Sequence, residues 1–254
     1  MRHFLLIAVM NPHGQRFLNS HNQRCNICGW KPWFWLPRGH DLPVIHTQKI
    51  MGAGKRFVDC PICRSSDRDR LIYEAFIQFQ HTFEKGTVLH VAPEKPLWKS
   101  WIDWGWGRFG LDARTKGYKF TYGRDVLLGT LCDLPFSDSY FSLVVANHVL
   151  EHIEDESKAL SEIVRVLKPN GIACLQVPFS EVLEDNIEAE GDWDFQKRKD
   201  VLGQWDHVRL YGKNYLKQWM KLGFEELPIE ISADVRNSYR IHPKEPLVFL
   251  KKIV

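Results

Sequence analysis

From Gly86 onward the chain alternates short apolar runs with helical patterns, and this alternation limits the fold more than any other feature of the sequence. Thr87 to Val91, Phe109 to Leu111, Phe141 to Ala146, Ile172 to Val177, Phe224 to Ile231 and Leu247 to Lys252 read as strands, with helical patterns between several of them. A strand that returns through a helix comes back parallel, so the expectation is an α/β fold: a mainly parallel sheet covered by helices on both faces. Sheets of this kind take ligands at the carboxyl ends of their strands, near the point where strand order reverses.

The residues before Gly86 follow another logic. Cys25-Asn-Ile-Cys28 and Cys60-Pro-Ile-Cys63 are two C-x2-C knuckles separated by 31 residues. Each knuckle can offer two thiolates to one tetrahedral ion, and four soft ligands favour zinc. Two disulfides, or thiols without metal, are the alternative; with no secretory signal read at the N-terminus, disulfides are disfavoured. A site closed by Cys25, Cys28, Cys60 and Cys63 leaves no open position for chemistry, so the zinc would be structural, in a small ribbon-like module. A hairpin is expected over Lys49 to Val58, with "MGAGKR" at its turn. The organisation that results is a tail over 1–20, a zinc-binding module over 21–66, a linking helix over 67–85 and the α/β domain over 86–254. Ser66 is the expected N-cap of the linking helix, with Asp67 and Asp69 in its first turn.

Charge divides along the same line. Residues 1–70 hold 11 Lys and Arg against 4 Asp and Glu, a surplus of seven, which leaves −4 on the other 184 residues within a formal total of +3. The aromatic run Trp30-Lys31-Pro32-Trp33-Phe34-Trp35 therefore has two readings. It can stack bases of a nucleic acid, or it can cover the zinc module and dock it on the main domain, which is the favoured reading. Phe4 to Met10, the longest apolar run, is too short to span a membrane, and the expected setting is a soluble cytoplasmic protein.

Three landmarks carry the functional reading. Ala92-Pro93-Glu94 forms the turn after the first strand, and Asp112, 22 residues after His90, ends the second strand where an acid can accept both hydroxyls of a ribose. The third is "DLPFSDSYFSLVVANHVLEHIEDESKALSEIVRVLKPNGIACLQVP", Asp133 to Pro178. This stretch closely resembles the class I S-adenosylmethionine-dependent methyltransferases, and the resemblance extends over roughly 86–254. The two knuckles, "VLHVAPE" and "QWDHVRLYG" also look like a zinc-bearing branch of that superfamily. It implies a Rossmann-like, mainly parallel seven-stranded sheet, S-adenosylmethionine as cofactor, and a cofactor site at His90, Ala92, Pro93, Glu94, Asp112, Ala113, Thr130, Leu131 and Asn147.

The sequence departs from the family at two places. Where the first turn usually reads acid-x-Gly-x-Gly-x-Gly, this chain has His90, Ala92, Glu94 and Pro96. The cofactor carries a sulfonium and an amino group but no phosphate, so Glu94 can meet its cationic end. Thr130 stands where the family often has an acid for the adenine amino group; its hydroxyl, with backbone and apolar contacts from Leu131 and Cys132, would replace it.

The histidines remain open at this level. His148-Val-Leu-Glu151-His152 fits the H-x-x-E-H pattern of a zinc protease, which would set two imidazoles on one helical face. Within the methyltransferase resemblance, His148 either takes a proton from the acceptor or orients a loop, while Glu151 and His152 fix the start of a helix. His207 either faces the active site or caps the helix that follows. The insertion over 181–194 and the segment after it are the expected substrate cover. A small-molecule acceptor is favoured, a nucleic acid is the alternative, and a noncatalytic binding protein is the third class.

Overall fold

The computed structural model describes residues 23–113 and 126–253, so the expectations for residues 1–20 lie outside the described residues. Its centre is a seven-stranded sheet of β4 (Thr87–Val91), β5 (Gly107–Asp112), β6 (Val126–Leu128), β7 (Phe141–Asn147), β8 (Leu167–Gln176), β12 (Phe224–Glu226) and β13 (Phe249–Lys252). The order is β12-β13-β8-β7-β4-β5-β6. Strands β6, β5, β4, β7 and β8 are parallel to their neighbours, and β13 runs antiparallel between β8 and β12. Order reverses between β4 and β7, so the two central strands diverge in connection and open a crevice at their carboxyl ends. Strand β7 is buried along its whole length, as its unbroken apolar run requires of a strand covered on both faces.

One apolar cluster fills one side of the sheet around Val144, Leu160, Ile163, Tyr211 and Trp219. The other side is filled by Phe76, Trp98, Trp101, Val145 and Phe249. The covering helices include α2 (Asp67–Phe79), α3 (Lys95–Asp103), α4 (Glu156–Val166) and α6 (Tyr215–Met220). Helix α2 begins as expected: the Ser66 hydroxyl accepts from Asp69 N–H while the Asp69 carboxylate accepts from Ser66 N–H, a reciprocal capping box. None of the helices among the described residues is long and apolar enough to cross a membrane.

The remaining elements are short. They are β1 (Leu36–Arg38), α1 (Pro43–Thr47), β2 (Ile50–Met51), β3 (Arg56–Asp59), β9 (Phe179–Ser180), β10 (Ile187–Glu188), α5 (Phe195–Leu202), β11 (Arg209–Leu210) and α7 (Ala233–Ser238). The hairpin expected over Lys49 to Val58 does not form. Strand β3 pairs with β1, whereas β2 pairs across the molecule with β9. The Ser180 hydroxyl ties that second pairing by donating to Gln48 O at 2.8 Å. Positive φ at Gly52 and Gly54 (74° and 94°) lets the chain turn between partners that lie in different places. Several strand boundaries also move, most of all in β12, which stops at Glu226 rather than Ile231, and β8, which begins at Leu167 rather than Ile172. In "KPNG" the left-handed residue is Asn170 (φ 61°), while Gly171 lies where a Cβ would meet Lys168 O at 2.8 Å.

Candidate functional site

The carboxyl ends of β4, β5 and β7 bring the expected cofactor residues to one edge. After Val91 the backbone turns sharply at Ala92, which takes φ 45° and donates its N–H to Leu111 O at 2.8 Å. A non-glycine residue in this region carries strain, so the place where the family has a glycine keeps a glycine-like backbone. Pro93 follows, and Glu94 is the N-cap of α3, with Pro96 in its first turn, where a missing N–H leaves no bond unmade.

Glu94 turns its carboxylate back to the sheet. Its Oε2 lies 2.7 Å from His90 Nε2, and its Oε1 accepts from Asn147 Nδ2 at 3.2 Å. Trp101 Nε1 donates to His90 Nδ1 at 3.0 Å. Indole nitrogen only donates, so Nδ1 must accept, and the neutral imidazole carries its proton on Nε2, toward Glu94. Burial is the largest influence on Glu94 and opposes its ionisation, but the His90 hydrogen bond together with the smaller favourable contributions, among them the charge of Arg68, holds the carboxyl below its usual range. A relay from α3 through β4 to β7 thus fixes an anionic carboxylate at the switch point. Each carboxylate oxygen still has a free lone pair for a cation.

Asp112 ends β5 one strand away, with Ala113 exposed after it. Beyond β6, Thr130 Oγ1 accepts from Cys132 N–H at 3.2 Å, so part of the oxygen expected to serve adenine closes its own turn. The Leu131 side chain is buried in the core.

His148 begins a second constellation. It takes φ 53° at the end of β7 and donates its N–H to Gln176 O at 2.7 Å. The following Leu150–His152 forms a single 3-10 turn. The helical face that H-x-x-E-H would need is therefore absent, and the protease reading loses its geometry. Instead, Glu151 and His152 meet His207 from 55 residues further along: their ligand atoms all lie within 4.8 Å of one another. His152 Nδ1 lies 3.1 Å from Asp206 O, and His207 Nδ1 lies 3.1 Å from Leu202 O. Carbonyl oxygen only accepts, so both rings donate from Nδ1 and keep a lone pair on Nε2. Burial lowers His207 to about 4 and raises Glu151 to about 8. Burial, then the charge of Arg68, hold His148 well below its usual value.

These groups line a cavity of about 290 Å³. Its walls include Arg38, Gly52, Arg56 and Arg68 from the N-terminal part and Leu202 to Gln204 at the end of α5. Sequence reasoning missed Arg56 and Arg68, because no local pattern marks arginines of β3 and α2 whose place beside the cavity is set by tertiary packing. It also gave Glu151 and His152 a merely local role.

The four cysteines converge as their spacing predicts. Cys25 Sγ lies 3.6 Å from Cys63 Sγ and Cys28 Sγ lies 3.7 Å from Cys60 Sγ, with all four sulfurs within 4.8 Å. A disulfide would need about 2.05 Å. A tetrahedron with metal–sulfur bonds of about 2.3 Å has edges near 3.8 Å, which these separations fit. The Cys63 hydrogen bond draws the Cys25 thiol down to about 4, so one thiolate is already favoured. Of the aromatic side chains in the run, only Trp35 is buried, against Cys25 and Cys60 and over the Arg70 guanidinium at 4.4 Å. Trp30, Trp33 and Phe34 are 49%, 88% and 51% exposed, so the run covers the module only in part.

Comparison with known proteins bears on the same region. Residues 110–175 match the family described as a methyltransferase domain. An uncharacterized methyltransferase of Schizosaccharomyces pombe is 45% identical over 47 residues, 18% of this chain and 17% of that protein. A demethylmenaquinone methyltransferase of Lactiplantibacillus plantarum is 34% identical over 88 residues, 34% of each chain. A ubiquinone/menaquinone biosynthesis C-methyltransferase of Neisseria meningitidis is 38% identical over 89 residues, 31% of this chain and 35% of that one. The chain thus spans about a third or less of the length of these relatives. Among solved structures, a methyltransferase from Methanosarcina mazei overlays with a TM-score of 0.48 at 15% identity, covering 69% of this chain and 97% of that chain. The chain carries a methyltransferase-domain sequence across the strands that build the Asp112 and Asn147 edge.

Proposed function

We propose that the chain is an S-adenosylmethionine-dependent methyltransferase whose four cysteines hold a structural zinc ion. The observation that carries this reading is the ionised Glu94 carboxylate, locked by His90 and Asn147 at the switch point of the sheet. When bound, the cofactor supplies an electrophilic methyl group on a sulfonium. Glu94 would face its cationic end and Asp112 its ribose, while the left-handed turn at Ala92 lets the chain pass closely beside it. The enzyme's main contribution is then alignment of the acceptor with the methyl carbon.

The acceptor side is assigned to the cavity beside His148, whose size suits a small molecule. Much of the basic charge that favoured a nucleic acid is spent internally: Arg38 pairs with Asp59, Arg56 with Asp67 and Glu245, and Arg68 with Glu245. The exposure of Trp30, Trp33 and Phe34 supports a second reading, RNA as acceptor. Steep loss of mixed-RNA affinity with added salt would favour that reading, and no RNA binding at low salt would discard it.

Calorimetric titration with S-adenosylmethionine and with its demethylated product tests the main proposal. One-to-one binding that Asp112→Ala abolishes is expected. A folded protein that binds neither compound would overturn it and direct attention to a noncatalytic role.

A further inference from the structure

We infer that Glu151, His152 and His207 form a second metal site, for a divalent transition-metal ion whose open coordination positions face the cavity. Beside the cavity sits a buried carboxyl group that nothing completes. Glu151 is fully buried, and neither carboxylate oxygen has a hydrogen-bond partner among the described residues. Such burial is expensive unless another group completes the carboxylate. His148 Nδ1 approaches Oε1 to 3.1 Å but is not aligned as a hydrogen-bond donor. Nearby arginines are engaged elsewhere. Arg209 donates to Leu150 O, Ile153 O and Glu154 O and pairs with Glu188, while Arg68 reaches Glu245 and Gly52 O.

The two histidines supply what a metal needs. Each is held through Nδ1 by a backbone carbonyl, Asp206 O for His152 and Leu202 O for His207. This is the outer arrangement that fixes a ligating imidazole and leaves Nε2 to bind. With the carboxylate they make a set of two imidazoles and one carboxylate, chemistry that suits zinc and neighbouring first-row metals rather than calcium or magnesium. Three protein ligands leave positions open, unlike the closed four-cysteine set. All three line the cavity assigned above to the acceptor, so the open positions point to where a hydroxyl oxygen of the acceptor would bind. A bound divalent ion would orient that oxygen and favour its deprotonated form. The acceptor part rests on the proposed methyltransferase function; the metal site itself does not.

The test counts zinc bound to the full chain after equilibration with excess zinc and removal of the loosely bound metal, with no methyl donor present. Two ions per chain are expected in the natural protein, and one in Glu151→Gln and in His207→Ala. Melting temperature separates metal loss from misfolding. Glu151→Gln keeps the side-chain shape while removing the ionisable carboxyl that would bind metal, so without added zinc it should melt no lower than the natural chain. Added zinc should raise the melting temperature of the natural chain and leave that of the variant unchanged. A zinc count that neither Glu151→Gln nor His207→Ala lowers below that of the folded natural protein would overturn the inference. Cofactor titration stands apart: a second zinc without cofactor binding would leave this site in place and sink only the proposed activity.

Discussion

Two residues with left-handed backbones, Ala92 and His148, flank the crevice at the ends of β4 and β7. A β-carbon in that region typically costs about 1–2 kcal/mol. Ala92→Gly should therefore leave stability unchanged or raise it, whereas Ala92→Val should lower it by more than about 1 kcal/mol, measured by urea denaturation. Glu94→Gln keeps the shape but removes the charge; cofactor affinity should fall about tenfold, and unchanged calorimetric affinity would remove Glu94 from the site. Asp69 offers a pH test. Burial first, then the charge of Glu94, raise it to about 7. The native state then binds more protons than the unfolded chain between about pH 4 and pH 7, so this carboxyl's contribution falls as pH rises through that window. Asp69→Asn should flatten the slope by at most one proton, about 1.4 kcal/mol per pH unit. An unaltered slope in denaturation at several pH values would contradict this.

Helix α2 shows what local pattern can and cannot say. Its capping box and apolar face follow from Ser66, Asp69, Leu71, Ile72, Ala75 and Phe76, and all of these are legible in order along the chain. Arg70 is different. Fully buried, it donates to Val58 O, Ser65 O, Tyr239 O and Arg240 O, joining the cysteine knuckle and the end of α7 to the helix. No spacing rule marks a buried arginine, because its partners are backbone carbonyls, and two of them, Tyr239 O and Arg240 O, come from some 170 residues away. Arg70→Leu leaves four carbonyls without a donor, and a loss of about 3–5 kcal/mol is expected in chemical denaturation. The misread hairpin has the same origin: "MGAGKR" offers turn residues, but the partner of β2 is chosen by Ser180, some 130 residues away.

Across the whole molecule, the N-terminal part supplies one wall of the cavity and the sheet supplies the other. If zinc holds the first wall, chelation should speed amide exchange over Leu36–Asp59 while β4 and β7 stay protected. Uniform loss of protection would show instead that the two parts unfold together, and no change would show that the knuckles hold without metal.

The sequence by itself determined the parallel core of the sheet, the cap of α2, the convergence of the four cysteines and the placing of His90, Glu94, Asp112 and Asn147 at one edge. The strands and the cap follow from period and capping chemistry, the cysteines from their paired knuckle spacing, and the edge from the family resemblance of the stretch that carries it. Tertiary structure alone decided that Glu94 is anchored by His90 and Asn147, and that His207 joins Glu151 and His152. Those outcomes depend on which distant segments pack together, and packing is a cooperative choice of the whole chain rather than of any one stretch of it.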